Sequence, residues 1–161
     1  MAIKDSLSSE EWEILEKSAF WVFHSVANAD GVIDKKEKKA FLQVLQNYNE
    51  FNNELTKEVL HSISKNYNED STIDISKMNE DLKQISTILE EKVPYKDILN
   101  FKKTLIAIGI YVGNSSGTIF SSKFSDEEVE ALKKVGLLLG VSENQLQQSP
   151  SIKDLIDSIK R

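Results

Sequence analysis

Cysteine is absent from the 161 residues. Disulfides, thiolate catalysis and cysteine-based zinc sites are therefore excluded. Long apolar runs are missing too: the longest, Leu105 to Val112, falls far short of the ~20 residues that span a bilayer. Met1 to Glu10 is polar and lacks the apolar core of a signal peptide, so a cytoplasmic protein without direct membrane insertion is expected. Basic charge is in short supply, with 20 Lys and Arg against 26 Asp and Glu and a net charge of -6. An acidic chain repels phosphate backbones, and no nucleic-acid partner is expected. The one basic run, Lys35, Lys36, Lys38 and Lys39, reads as a solvated helix face. There is no H-E-x-x-H, no Gly-rich phosphate loop and no serine elbow. His24 and His61 have no partners nearby in sequence, and adjacent acids such as Glu90-Glu91 read as solvated helix positions. No catalytic residue is assigned, and a binding module rather than an enzyme is expected.

What is present is helical periodicity. Hydrophobic residues make up 40% of the chain, enough for a core at a size where roughly 70% of the unfolded surface can be buried. Trp12, Leu15, Ala19, Val22 and Val26 recur at spacings of three and four, marking one helix face. Ser8 with Glu11 forms a capping box before it. A second helix starts at Asp34 and carries Phe41, Val44, Leu45 and Tyr48; a third carries Phe51, Leu55, Val59, Ile63 and Tyr67. A fourth turns Met78, Leu82, Ile85 and Leu89 inward, and Pro94 marks a helix boundary. A fifth carries Ile98, Phe101, Leu105, Ile108 and Val112, with Gly113 to Phe124 read as a loop. A sixth opens at Ser125 and ends at Gly140, and Ser142 with Gln145, and Ser151 with Asp154, cap short helices beyond. No run alternates with period two long enough for a strand. The expected fold is all-α, a compact domain of about seven helices.

The first and fifth helices coincide at an offset of 86 residues: Trp12 falls on Ile98, Leu15 on Phe101, Ala19 on Leu105, Val22 on Ile108 and Val26 on Val112. Gly31 falls on Gly117 and Ile33 on Ile119. After a five-residue insertion Asp34 meets Ser125, Glu37 meets Glu128 and Phe41 meets Leu132. Two pseudo-symmetric helical-hairpin repeats, at about 9–50 and 95–141, are therefore expected within one domain.

The loop Asn28-Ala29-Asp30-Gly31-Val32-Ile33-Asp34-Lys35-Lys36-Glu37 has the pattern of a calcium loop. With Gly31 as its sixth position, Asn28, Asp30, Ile33, Asp34 and Glu37 fall at the third, fifth, eighth, ninth and twelfth. The first position is Val26, on an apolar face, so a complete EF-hand is not expected. A smaller divalent-cation site on Asp30, Asp34 and Glu37 is one reading. The other is local: Asp34 and Glu37 have capping-box spacing, and Asp30-Gly31 is an ordinary turn dipeptide. Asn66 to Lys77 has a weaker calcium-loop pattern, without the sixth-position Gly and with Lys77 at the twelfth, and reads as a plain turn.

The stretch Val26 to Glu37 resembles the Ala-x-x-Asp-Gly-x-Ile-x-x-x-Glu signature of TerB-like tellurite-resistance proteins, and Leu139-Gly140-Val141-Ser142 resembles that family's closing helix and turn. The resemblance implies an all-helical domain with two pseudo-symmetric halves. It also implies a metal- or ligand-binding surface around the Asp-Gly turn, which nominates Asp30, Asp34, Glu37 and Glu128, and a divalent, calcium-like metal ion as the only cofactor. The second half departs from the family pattern, with Ser116 and Ser125 in place of acids. Resistance to tellurite and other chemical stress is the implied setting, with other Ter-type proteins, some membrane-embedded, as partners at the inner face of the membrane. A related domain occurs in a membrane-anchored J-domain co-chaperone, so a metal-free protein–protein adaptor is the alternative role. A homodimer is left open.

Overall fold

The computed structural model describes residues 3–27, 35–66, 75–115, 126–146 and 152–160. Among the described residues there are eight α-helices and no strand. In chain order they are α1 Ser9–Ala27, α2 Lys35–Gln46, α3 Glu54–Asn66, α4 Met78–Leu89, α5 Tyr95–Ser115, α6 Asp126–Leu139, the single turn α7 Glu143–Leu146, and α8 Ile152–Lys160. Short 3-10 turns at Ile3–Ser6, Tyr48–Glu50 and Ile75–Lys77 lead into or follow them. The all-α expectation holds, with one helix more than anticipated.

Helix ends follow from local chemistry. Ser8 donates its backbone N–H to Glu11 Oε1 at 2.8 Å, and Glu11 N–H returns a bond to Ser8 Oγ at 3.1 Å. The same reciprocal pair closes on Ser142 and Gln145, at 2.8 and 3.2 Å. The Ser8 amide, and after it Lys92, hold the Glu11 carboxyl below its usual range. Gly140 adopts φ +73°, which non-glycine residues avoid. There the N–H of Gly140 reaches Leu137 O and that of Val141 reaches Gly136 O, the paired bonds of a Schellman end. Pro94 precedes α5, where its missing N–H costs nothing, and its carbonyl accepts from Asp97 and Ile98.

Three boundaries differ from the sequence reading. The sequence places Gly113 in a loop, yet α5 continues through it to Ser115. Packing outweighs glycine's weak helix propensity here, because Gly113 is buried. Tyr48 belongs to a 3-10 turn rather than to the second helix. Phe51 lies before α3, not in it, although it is buried in the core all the same. The helix start is set instead by Asn53, whose Oδ1 accepts from Thr56 N–H at 3.0 Å. Of the turn expected from Asn66 to Lys77, residues 67–74 lie outside the described residues, and its end is the 3-10 turn Ile75–Lys77.

One core gathers side chains from α1 to α6 and α8. The predicted stripes of α1 and α5 are buried throughout, with Leu15, Ala19, Val22, Val26, Leu105, Ile108 and Val112 at 0% exposure. The longest helix, α5, lies at the centre and packs against α1, α2, α3, α6 and α8. Gly109 lies tightly against two of them. A Cβ there would stand 2.8 Å from Leu132 on α6 and 3.1 Å from Val22 on α1. Polar side chains fix the outer contacts: Trp21 Nε1 donates to Asp81 on α4 at 3.1 Å, and Ser62 on α3 donates to Glu16 at 2.7 Å. Equivalence of the two expected hairpins does not follow from this packing. Helices α5 and α6 pack on each other directly, whereas α1 and α2 are joined by ring contacts of Phe20 and Phe23 with Phe41.

Candidate functional site

The candidate site lies at the start of α2, and the aromatic contact between α1 and α2 positions it. Phe23 stacks on Phe41 with ring centres 4.5 Å apart and planes 4° from parallel, and Phe20 meets Phe41 edge-on at 6.1 Å. Phe41 stands one helical turn after Glu37, so both side chains share a face of α2. That face, with Ala40, Val44 and Leu45, is the buried one. Glu37 is thereby 2% exposed on the core side of an otherwise charged first turn. A buried carboxylate persists only where hydrogen bonds or charges satisfy it. Its place in the first turn of α2 also sets it near the positive end of the helix dipole.

The other nominated residues stand differently. Asp30 and Asp34 lie outside the described residues, and so does the side chain of Glu128, whose backbone lies in the first turn of α6. Among the described residues no group of three or more His, Asp or Glu is arranged to hold a metal ion. Glu37 is thus the one nominated ligand whose surroundings are described. A hard, oxygen-donating carboxylate on a buried face fits a hard divalent cation by ligand chemistry. It fits a capping role equally well.

Other charged groups escaped the sequence reading. Lys103 on α5 is 0% exposed, and burial lowers its ammonium below the ordinary lysine range. Lys102 donates to Ser86 Oγ on α4; burial lowers its pKa, and the charge of Glu90 opposes that shift. The available signal was two adjacent lysines, Lys102 and Lys103, just before the apolar run that opens at Leu105. They resembled the solvent-facing lysines of any amphipathic helix.

His24 lies one turn from the end of α1, with its ring 6.2 Å from that of Phe20. Burial lowers its pKa below the ordinary imidazole value of about 6.5. Its neutral form therefore supports the fold. Above about pH 6.5 that contribution is complete, and it is lost as pH falls through the depressed folded-state value, where the unfolded chain binds the proton first. Replacing His24 by Gln is expected to flatten the fall in stability as pH drops below about 6.5. Urea denaturation of both proteins across that range measures it, and parallel curves would remove His24 as the cause.

The match to known proteins spans this whole region. The family model described as "Tellurite resistance protein TerB" matches residues 17–150. This chain belongs to the TerB family. The TerB match runs from within α1 through α7 and includes the nominated residues Asp30, Asp34, Glu37 and Glu128. A protein of Methanothermobacter thermautotrophicus described as "Uncharacterized protein ORF11'" is 29% identical over 144 residues, covering 86% of this chain and 93% of its own length. No solved structure matches the chain. No helix of this TerB chain, among the described residues, is long and apolar enough to cross a membrane.

Proposed function

We propose that the chain is a non-catalytic, cytoplasmic binding module of the tellurite-resistance stress response. In this reading a divalent cation binds at the start of α2 through Asp30, Asp34 and Glu37, with Glu128 assisting. The observation that carries it is Glu37, a carboxylate 2% exposed on the apolar face of α2, three residues after Asp34 and six after Gly31. Carboxylates held close together repel one another, and a hard cation relieves that repulsion while taking their oxygens as ligands. Position and ligand type suit calcium or magnesium better than a soft metal, which favours sulfur and imidazole. The absent first-position acid points to weak binding. Other Ter-type resistance proteins at the inner face of the membrane are the partners this module would address.

A second reading has its own support. Two capping boxes of the Asp34/Glu37 spacing, Ser8/Glu11 and Ser142/Gln145, are formed in this chain. On that precedent Asp34 and Glu37 only satisfy backbone donors, and the module is a metal-free adaptor.

Asp34→Asn separates the two, because Asn caps about as well as Asp but removes a charged ligand. The cation reading predicts heat on titration with calcium or magnesium and a raised melting temperature in the wild type. Both effects should vanish in Asp34→Asn, while stability without metal stays level or rises. Calorimetry on the two proteins decides. No heat and no melting shift with calcium, magnesium, manganese or zinc in the wild type would leave the adaptor.

A further inference from the structure

The outer face of α2 collects charge that the fold does not use. Lys35, Lys36, Lys38 and Lys39 are all exposed. At about 100° per residue they span an arc of roughly 160°, and buried Glu37 stands opposite its middle. Glu37 is the one acid of the helix, so no negative charge of α2 interrupts that arc. Within it Lys35 meets Lys38 and Lys39, and Lys36 meets Lys39, at the spacings where like charges repel. Lys35 and Lys36 also occupy the first turn, where the helix dipole is itself positive. Elsewhere lysines are answered: Lys17 by Glu13, Lys57 by Glu54, Lys92 by Glu11 and Lys133 by Glu130. None of the four on α2 has an ion pair among the described residues.

The rest of the face decides what it fits. Its exposed arc is a convex helix surface with neither arginine nor an aromatic ring. Specific protein interfaces are anchored by those residues and deplete lysine. Base-edge readout and base stacking draw on the same residues. Unpaired lysines on a convex face suit instead a dispersed negative surface that asks for charge and not for geometry, with a gain of up to about fivefold per lysine. Leu42 stands on the same arc, one turn beyond Lys38, and is half-buried. An apolar side chain among lysines suits the boundary between headgroups and acyl chains. Exposed acids lie elsewhere: Glu80, Glu90 and Glu91 are on or just after α4, and Glu127 and Glu130 are on α6. Those two helices pack on each other, whereas α2 packs on α3 and α5.

We infer that the Lys35, Lys36, Lys38 and Lys39 face of α2 is an electrostatic docking surface for an anionic phospholipid bilayer, on which the chain adsorbs without spanning it. The net charge of -6 does not oppose this. A plane meets only the face turned towards it, and acids more than about 8 Å from the plane are screened at physiological salt. Adsorption through α2 relieves the repulsion among its lysines, because lipid phosphates supply the counter-charge that the fold withholds. It also fixes an orientation, with α2 against the bilayer. The inference does not rest on the cation reading, and a test run in chelator lets the two fail separately.

The test is co-sedimentation of the full chain, in chelator, with vesicles of phosphatidylcholine alone or of phosphatidylcholine and phosphatidylglycerol in roughly equal parts. At about 0.05 M salt the chain should bind the anionic vesicles at least about tenfold more tightly than the neutral ones, and about 0.5 M salt should remove the difference. Lys35→Gln, Lys36→Gln, Lys38→Gln and Lys39→Gln together should lower binding at least about tenfold, to the level on neutral vesicles. The same change of net charge made at exposed Lys83, Lys96, Lys133 and Lys134 should cost less than about threefold. Equal losses in the two variants would reduce the effect to net charge and overturn the inference. Equal binding to both vesicle types, or none by the wild type at low salt, would overturn it as well. Tighter binding to duplex DNA than to anionic vesicles, lost in the α2 variant, would give the face to nucleic acid instead. The α2 variant should fold with a urea midpoint at or above that of wild type, because like-charge pairs and charges opposing the dipole are removed. Should it fail to fold, the lipid and salt dependence of the wild type and the variant at Lys83, Lys96, Lys133 and Lys134 decide.

Discussion

Ile108→Asp and Val22→Asp are each expected to destabilise the whole domain, which then unfolds in a single cooperative step at lower denaturant, and not to melt one half. Both side chains are at 0% exposure, on the two helices that make the most extensive contact in the core. An aspartate at either place must bury an ionised carboxylate without a partner or bind a proton at neutral pH. Either course costs on the order of 4–5 kcal/mol, a large part of the 5–15 kcal/mol available to a domain of this size. Urea unfolding followed by circular dichroism should show a single transition for both variants, at a midpoint far below that of wild type. Retention of about half the helical signal, with a separate later transition, would mean that the hairpins fold as independent units.

Gly109→Val comes next in size, with an expected loss of about 2–3 kcal/mol. The new Cβ alone would come within 2.8 Å of Leu132 Cδ2, 3.1 Å of Val22 Cγ1 and 3.3 Å of Val26 Cγ2. Leu132 is flexible enough to yield. Val22 and Val26 are β-branched, have one strongly preferred rotamer in a helix, and cannot move aside within a packed core. The backbones of α1 and α5 must separate instead, and contacts along both stripes are lost together. Gly109→Ala places only the Cβ and recovers about 1 kcal/mol of helix propensity, so its loss should be smaller. Urea midpoints in the order wild type, Ala, Val would bear this out. A Val variant as stable as wild type would show that α1 and α5 can part freely at their crossing.

The clearest reading from sequence concerned elements whose signals are local. The period of Leu15, Val22 and Val26 marked the inner face of α1, and the capping pairs Ser8/Glu11 and Ser142/Gln145 formed as read. Gly140 ended α6 because only glycine adopts φ +73° cheaply. Of the candidate site, Glu37 was picked out by its spacing from Gly31, yet the same spacing suits a cap and a cation ligand. Burial separates Glu37 from the neighbouring charges of α2, and the sequence around it, Lys35-Lys36-Glu37-Lys38-Lys39, reads as solvated throughout.

Sequence alone determined that this is an all-helical chain of the TerB type, where its helices run, and which faces of α1 and α5 turn inward. Those properties follow from hydrogen bonds and periodicities that close within a few residues, so a short window contains them. Tertiary structure alone decided that Gly113 stays helical, that Gly109 is a crossing point, that Lys103 is buried, and that α8 packs on α5. Each depends on what a distant segment places beside the residue. A glycine at a helix crossing and a glycine facing solvent have the same neighbours in sequence, and only packing distinguishes them.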